Sequence, residues 1–395
     1  GLEDEVALFV DPHTTDFKSS WPEIDEMLDR IMSDSFRNKL LDHKGKGWVY
    51  NWHCMDHIGY ENNPRKRDIG YLNILDFYRN KIIQTHSIQD ALHWHFHPIN
   101  FFKDAHICAT SYNNSMFYLQ QSITRRIVER NFFPVVNRAG FHSERPDSHL
   151  FLEQWIPFDP SNLSADPINE PKHQRDLSNG RFGDWRWAPS DWSIYHPHHD
   201  NYQIQGNCRR VIARVLNMKS RHRSITIDEV KKAFKNAQSG EDVYLGITNH
   251  DFREMSIEID EFRGMLRQAS LLYSNVDFFF SESVNAFQKI LFKDVDLENN
   301  AIEFDLSIDQ IQGVPTLVVK LTNGSFFGPQ PWLALKTKSR KYYTDNFDVV
   351  IPDQEYSYTF DSQTIKLGEI DQIAVASNDK YGYQKVLRLL SGKDF

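Results

Sequence analysis

The stretch from Ala91 to Pro98 reads ALHWHFHP, and the interpretation of the first part of the chain depends on it. Its apolar start is typical of a buried strand of an α/β fold that reaches the surface at its end. Side chains alternate between the two faces of a strand, so His93, His95 and His97 are expected to project the same way. Three imidazoles on one face favour a site for a divalent metal ion, with zinc the best match, over a packed core. The alternative is a polar strand end, closed by a proline that cannot continue the ladder, in which backbone groups bind a histidine.

Residues 6–290 alternate strand-like and helix-like segments, which is the pattern of a parallel α/β fold. The predicted strands are 6–10, 47–53, 91–95, 133–137, 156–158, 242–248 and 276–280. These repeats predict a distorted (β/α) barrel of about seven parallel strands, with functional residues at the carboxyl ends of the strands. Within this pattern the segment 206–217 is predicted to be a helix, and the aperiodic segment 162–191 a functional loop.

The pattern changes after about residue 294. Short alternating segments such as 302–306 and 316–321 are separated by turn residues, and no helical segment intervenes until the end. This pattern predicts an antiparallel β-sandwich. We therefore expect two domains, a (β/α) barrel over 1–294 and a sandwich module over 295–395.

The composition narrows the classes of partner and location. The net charge is −9 and no Lys/Arg-rich tract occurs, which argues against a nucleic-acid partner because phosphate binding needs a basic surface. The three cysteines, Cys54, Cys108 and Cys208, have no C-x-x-C spacing and are expected to be reduced thiols in a cytoplasmic protein. No apolar run approaches the roughly 20 residues that a membrane span needs. The composition predicts no particular oligomeric state.

Three motifs follow one another along the predicted barrel: H-x-x-x-H-P at 93–98, R-A-G at 138–140 and T-N-H-D at 248–251. In this order they resemble the motifs of the polysaccharide deacetylases, the NodB-like enzymes of carbohydrate esterase family four, over about residues 6–290. The H-x-x-x-H-P motif is fairly specific for this family. The R-A-G and T-N-H-D motifs are weak indicators alone and become informative because they follow it in the family's order. Residues 158–161, FDPS, also resemble the D-S-S element that often follows R-A-G in that family.

The resemblance implies a metal-dependent hydrolase that removes an N-acyl group, usually N-acetyl, from a carbohydrate. It makes His93 and His97 metal ligands and has Arg138 orient the catalytic carboxylate. It makes His250 the general acid, with Asp251 or a neighbouring acid tuning it. In such chemistry a divalent ion lowers the pKa of a bound water, a carboxylate takes the water proton, and an imidazole protonates the leaving amine.

The chain departs from the family at the first motif, where residues 9–13 read FVDPH with one acid instead of the usual two. We expect Asp11 near the metal ion, either as a ligand or as the base, and in the second case His13 replaces the missing ligand. Asp56, beside His57 at the end of the second predicted strand, is a third candidate. His53, Asp56 and His57 are equally compatible with hydrogen-bonded groups of the core and its rim.

A second cluster, YHPHHD at 195–200, follows three closely spaced tryptophans. Aromatic and polar side chains together suit the apolar C–H face of a pyranose, so the predicted substrate-binding residues are Trp192, His196, His199 and Asp200. The alternative is a packed lid.

Residues 206–210, GNCRR, are predicted to open a helix whose amino terminus favours an anionic group. A buried ion pair explains Arg209 and Arg210 equally well. Cys208 is expected to be a buried small apolar residue rather than a nucleophile.

Two other classes of protein remain open. Amidohydrolase and PHP-type phosphoesterase barrels also carry H-x-H on a strand, usually the first, whereas the first predicted strand here ends in Asp11. A deacetylase-like protein that binds glycan without catalysis is the third hypothesis. No G-x-S-x-G, Walker A or G-x-G-x-x-G motif occurs, which disfavours serine hydrolases, P-loop proteins and Rossmann folds.

Overall fold

A computed structural model describes residues 18, 20–56, 58–63, 70–104, 112–140, 144–164, 185–219 and 224–395 of the chain. Within these ranges, helices α1 to α8 span Trp21–Ile31, Asp34–Arg37, Asn73–Gln84, Met116–Arg130, Pro146–Trp155, Ile227–Gln238, Met255–Leu272 and Ser283–Leu291. Strands β1 to β8 span Asn51–Asp56, Ala91–Phe96, Asn137–Ala139, Phe158–Asn162, Pro197–His198, Asn201–Gln205, Val211–Asn217 and Gly246–Thr248. Strands β9 to β16 span Glu303–Ile311, Val314–Asn323, Trp332–Thr337, Tyr342–Tyr343, Asp348–Ile351, Glu355–Thr359, Ile370–Asn378 and Gln384–Leu390. None of the described helices has the length and apolar character needed to cross a lipid bilayer.

The parallel strands of the described residues form two short sheets, with the strand orders β1-β2-β3 and β4-β7-β8. A parallel bridge between Val136 and Phe158 links the two sheets. The predicted barrel of about seven parallel strands is therefore wrong, since each of these sheets has three strands. The predicted first strand, 6–10, lies outside the described residues.

Residues 276–280, the last strand of the predicted barrel, form no strand. The backbone N–H of Phe278 donates to Nδ1 of His43 at 2.9 Å, and that of Phe280 donates to Oδ2 of Asp42 at 3.0 Å. Side chains thus accept the backbone N–H groups that would pair with a neighbouring strand. This explains why 276–280 forms no strand despite its strand-like sequence.

Residues Val211–Asn217 form strand β7 and not the helix predicted over 206–217. Every residue of β7 is buried, so the segment lacks the alternation of a half-exposed strand. A strand covered on both faces has the same nearly continuous apolar pattern as a buried helix, and periodicity does not separate the two. The β-branched Val211, Ile212 and Val215 favour the strand.

Strand β2 separates an apolar layer from a polar one. Trp94 and Phe96 pack in one buried cluster with apolar residues of α4, among them Leu119. Because successive side chains of a strand point to opposite faces, His93 and His95 lie on the face away from α4.

The residues after 300 form two antiparallel sheets, with the orders β13-β14-β10-β9 and β12-β11-β15-β16, and both sheets contribute to one buried cluster. Trp332 of β11 and Ala374 of β15 belong instead to the cluster of Trp94 and Phe96. The second of these sheets therefore packs on the layer that contains α4. The predicted domain boundary at residue 294 falls between α8 and β9 and stays a prediction.

Candidate functional site

The first parallel sheet brings imidazoles of two strands and a guanidinium of a third onto one face. Its register pairs His53 with His93 and His95 with Arg138, and His97 follows the end of β2. Residues opposite one another in a parallel sheet share a face, so these side chains line the face away from α4. These five residues are called the candidate site below. The sequence predicts His53 only as a group of the core or its rim and not as a site residue.

His95 and His97 form a close pair. Their Nε2 atoms lie 2.9 Å apart, and their ring centroids are separated by 4.7 Å. The Nδ1 of His95 lies 2.5 Å from the carbonyl oxygen of Arg138, so Nδ1 carries a proton and donates it there. The Nε2 of His95 is then unprotonated, which is the form of histidine that binds a metal ion, and it accepts a hydrogen bond from Nε2 of His97. A metal ion held by both nitrogens would replace the proton of His97 Nε2.

Contacts from Tyr60 and Gly140 help to fix the position of His97. The hydroxyl of Tyr60 donates to the carbonyl oxygens of His97 and Pro98, at 3.1 and 3.2 Å. Gly140 also approaches closely, since a Cβ at this position would lie 2.4 Å from the carbonyl oxygen of Phe96 and 2.8 Å from Cδ2 of His97. The glycine of the R-A-G motif is therefore needed for the end of β3 to pass beside His97.

His93 makes a different set of contacts. Its Nε2 lies 2.9 Å from Oδ1 of Asn51, which also accepts a hydrogen bond from the amide of Ser283 at 2.7 Å. An amide oxygen only accepts, so Nε2 of His93 carries a proton and donates it. This bond joins β1, β2 and the start of α8. The structure places His97 beside His95, and the ligand pair of His93 and His97 implied by the resemblance stays a prediction.

Burial makes the contribution of His93 to stability depend on pH. Desolvation lowers the pKa of His93 to about 3, from 6.5 in the unfolded chain. Between these values the unfolded chain binds a proton that the folded protein excludes. The free energy of unfolding is therefore expected to fall as the pH falls from 6.5 toward 3, by up to about 1.4 kcal/mol per pH unit. Urea unfolding at a series of pH values measures this slope, and His93→Gln should reduce it. The exposed His199→Gln is the control, and equal slopes in all three proteins would contradict the expectation.

The structure separates Asp56 from the candidate site. Asp56 is fully buried on the α4 side of the sheet, in an ion pair with Arg126 at 2.9 Å. It also accepts a hydrogen bond from Nε1 of Trp94 at 2.9 Å. A carboxylate held on the opposite face does not reach the candidate site, so the alternative of core hydrogen bonding is confirmed for Asp56. The remaining candidates for ligand or base, Asp11 and His13, lie outside the described residues, and so does His57, the neighbour of Asp56.

His250 follows the end of β8, an edge strand of the second parallel sheet. Its side chain is exposed, and its ring centroid lies 5.0 Å from that of Phe252. Asp251, one acid expected to tune His250, instead accepts a hydrogen bond at 2.5 Å from the buried hydroxyl of Tyr78 on α3. The general-acid role of His250 stays a prediction.

Arg138 is a buried cation beside the histidines. Burial lowers the pKa of its guanidinium to about 9, and the negative charge of Asp159 opposes this shift. The guanidinium therefore remains protonated at neutral pH. A buried cation at this position can orient a carboxylate, which is the role that the resemblance implies for Arg138.

A second group of charged side chains is buried beside β4 and β7. Arg210 donates from Nη1 to Asp159 and from Nη2 to Glu144, both at 2.6 Å. It also donates from Nη2 to Nδ1 of His149 at 2.8 Å. Burial raises the pKa of Glu144 to about 8. Of the two alternatives for Arg210, the buried ion pair is therefore confirmed. Arg210, Asp159, Glu144 and His149 are called the charge network below.

Asp159 connects the charge network to β3. It accepts hydrogen bonds from Nδ2 of Asn137 at 3.1 Å and from the hydroxyl of Ser161. The same hydroxyl oxygen accepts the backbone N–H of Ala139 at 2.9 Å. The FDPS segment thus supports the main chain of the R-A-G motif. Sequence reasoning found this segment by resemblance but missed Glu144 and His149, which belong to no recognised motif.

Cys208 does not form a catalytic thiol–imidazole pair. Its Sγ lies 3.9 Å from Nε2 of His149, but Nδ1 of His149 accepts hydrogen bonds from Arg210. The Nε2 of the neutral ring therefore carries the proton and cannot act as the base. Burial also raises the pKa of the Cys208 thiol. The expectation that Cys208 is a buried cysteine is confirmed.

The predicted substrate-binding residues do not form one surface. The ring of Trp192 is buried, donates to a main-chain carbonyl of α6 and lies 4.4 Å from the guanidinium of Arg214. This core position is incompatible with the predicted role of Trp192 in stacking on a sugar. His199 and Asp200 form the exposed turn between β5 and β6, with 3.0 Å between the ring nitrogen and the carboxylate, and His196 is also exposed. The roles of these three polar residues stay predictions.

The metal-binding capacity of the described residues is limited to part of a site. In the described ranges, no group of three or more His, Cys, Asp or Glu side chains is close enough to hold a metal ion. His95 and His97 supply two imidazole nitrogens, the donor type that zinc takes readily, so these two residues fit part of a zinc site. The third ligand expected from the sequence, Asp11, lies outside the described residues.

In comparisons with known proteins, no family model, no curated protein and no solved structure matches the chain. The functional assignment therefore rests on the candidate site and on the order of the motifs.

Proposed function

We propose that the chain is a metal-dependent hydrolase that removes an N-acyl group from a carbohydrate, with His95 and His97 as two of its metal ligands. The observation that carries the proposal is the 2.9 Å approach of the two Nε2 atoms. The carbonyl oxygen of Arg138 holds His95 in the tautomer that leaves Nε2 unprotonated. A ligand histidine whose other ring nitrogen donates to a carbonyl is typical of metal centres.

The positions of the three motifs support the same proposal. His97, Gly140 and His250 each follow the carboxyl end of a parallel strand, namely β2, β3 and β8. In α/β proteins ligands usually bind beyond the carboxyl ends of parallel strands. The carbohydrate substrate is inferred from the order of the motifs, which resembles that of the polysaccharide deacetylases.

In the proposed hydrolysis, the metal ion and each residue of the site would have a separate role. A bound divalent ion would supply a water of lowered pKa and polarise the substrate carbonyl. His95 and His97 would hold that ion. The guanidinium of Arg138 would orient the carboxylate that takes the water proton, which is Asp11 in the assignment from sequence. His250 would protonate the leaving nitrogen.

One observation favours a second candidate. The paired histidines are separated by a single residue, Phe96, and so form the H-x-H arrangement that amidohydrolase and PHP-type phosphoesterase barrels carry on a strand. A hydrolase of that kind would use the same two ligands on a phosphate ester or another amide.

Metal analysis combined with an assay of acyl release tests the proposal. The purified protein is expected to contain about one equivalent of zinc by plasma mass spectrometry. It is also expected to release acetate from oligomers of N-acetylglucosamine. A chelator should abolish this release, and added zinc should restore it.

Three outcomes would contradict the proposal. Bound metal with hydrolysis of phosphate esters and no release of acetate would favour the second candidate. A protein that binds the oligomers but holds no metal ion and releases no acetate would be a glycan-binding protein. Acetate release that resists chelation would exclude the metal-dependent step.

A further inference from the structure

The loop that follows His97 presents two aromatic rings to solvent. Phe101 and Phe102 have 84% and 69% of their surface exposed. Their ring centroids lie 5.4 Å apart, and their planes are nearly perpendicular at 88°. Contiguous exposed apolar groups mark interaction sites on soluble proteins. The rings therefore have the character of a contact surface.

The turn that carries the rings is held by many hydrogen bonds. Asn100, itself buried, accepts the N–H groups of Phe102 and Asp104 at 2.9 and 3.3 Å and donates to the carbonyl of Asp104 at 2.5 Å. The carbonyl of Lys103 accepts the N–H groups of Glu61 and Asn62 at 2.9 and 3.1 Å. The rings are thus presented by an ordered main chain, which lowers the entropic cost of binding a ligand.

The turn is continuous with the candidate site. The hydroxyl of Tyr60 donates to the carbonyls of His97 and Pro98, and the neighbouring Glu61 bonds to Lys103 of the turn. Ile99, between these contacts, is buried and donates its N–H to the hydroxyl of Ser115 at 2.5 Å. Segment 58–63 therefore holds the proposed metal ligand and the two rings together.

The groups around the rings indicate the chemistry of the ligand. Lys103 forms an ion pair with Glu61 at 2.5 Å, and Asn62 donates to the carboxylate of Asp104 at 2.6 Å. Apolar ring faces bordered by polar groups match a pyranose, which has an apolar C–H face and hydroxyl groups at its edge. The net charge of −9 disfavours an anionic ligand, including an anionic membrane surface.

We propose that the turn of Phe101 and Phe102 is a subsite that binds a pyranose ring of an uncharged N-acylated oligosaccharide, next to the sugar that is hydrolysed. This inference rests on the proposed function for the substrate class. It goes beyond that function in assigning the contact with the neighbouring sugar to Phe101 and Phe102, whose exposed rings lie on the turn that follows His97.

Calorimetric titration of the metal-free protein tests the subsite without any need for turnover. The probes are the tetramer and the monomer of N-acetylglucosamine. The wild-type protein is expected to bind the tetramer more tightly than the monomer. In F101A/F102A the dissociation constant of the tetramer should rise about tenfold, while that of the monomer stays unchanged.

Two controls separate the loss of ring faces from other effects. F101Y/F102Y keeps the ring faces and should keep the affinity for the tetramer. F279A removes an exposed phenylalanine that packs near His43, ahead of β1, and should change neither affinity. Because Phe101 and Phe102 are exposed, F101A/F102A is expected to unfold at the wild-type temperature.

The outcomes distinguish this inference from the proposed function. Weaker tetramer binding in F101A/F102A, in a protein that releases no acetate, would support the subsite and refute the hydrolase. Wild-type tetramer affinity in F101A/F102A, or equal wild-type affinities for tetramer and monomer, would overturn the subsite whatever the activity. Binding to phosphatidylserine vesicles that F101A/F102A abolishes would also overturn it, in favour of a membrane contact.

Discussion

Replacing Arg210 by methionine is expected to lower the free energy of unfolding by about 3–5 kcal/mol. Arg210 lies between the carboxylates of Glu144 and Asp159, and all three side chains are fully buried. Without the guanidinium, two acids remain in a region of low polarity, and each must either carry an unpaired charge or hold a proton. Urea unfolding at neutral pH measures the loss.

Arg209→Met is the matched control for this prediction. Arg209 is the neighbouring residue, its side chain is 46% exposed, and it forms an ion pair with Glu153 at 3.3 Å. An exposed pair of this kind contributes about 0–1 kcal/mol. If Arg209→Met and Arg210→Met lowered the free energy of unfolding equally, the buried charge network would contribute no more to stability than an exposed ion pair does.

The loss in Arg210→Met should also depend on pH in a defined direction. Burial already raises the pKa of Glu144 to about 8, and the charge of Arg210 opposes that rise. An acid whose pKa is higher in the folded protein than in the unfolded chain destabilises the fold as the pH rises. The variant is therefore expected to be least stable, relative to the wild-type protein, at high pH. Adding Glu144→Gln to Arg210→Met should reduce this dependence.

Under the proposed function, His95→Ala is expected to abolish both metal binding and acyl release. The Nε2 atoms of His95 and His97 lie 2.9 Å apart, close enough for one metal ion to contact both after the proton between them is displaced. Loss of an outer hydrogen bond to a ligand alone costs about 10–100-fold in metal affinity, and loss of a ligand should cost more. Plasma mass spectrometry and titration with zinc measure this effect, and His97→Ala should behave in the same way.

His93→Ala distinguishes the ligand pair of His95 and His97 from the pair of His93 and His97 that the family resemblance implies. His93 donates to Asn51 in a buried hydrogen bond that joins β1 and β2, so its loss should cost about 1–3 kcal/mol of stability. The metal content should remain that of the wild-type protein. Metal lost from His93→Ala and kept in His95→Ala would instead support the ligand pair implied by the family resemblance.

The local pattern of ALHWHFHP predicts strand β2, and the structure confirms a strand at Ala91–Phe96. The same alternation predicts a shared face for the histidines but not which two of them meet. Asn51 reaches His93, and the carbonyl of Arg138 reaches His95, through the register of three parallel strands. Such partners come from other strands, so no pattern within one strand identifies them.

By itself the sequence determined the segments that alternate regularly, including the antiparallel strands after residue 300, because alternation along one segment is a local property. Tertiary structure alone decided that β7 is a strand covered on both faces and that residues 276–280 bond to side chains instead of a sheet. It also decided that Arg210 meets Glu144 and Asp159. Each of these outcomes depends on contacts between segments far apart in the chain. The free energy of burying a charge, in particular, depends on which groups surround it after folding.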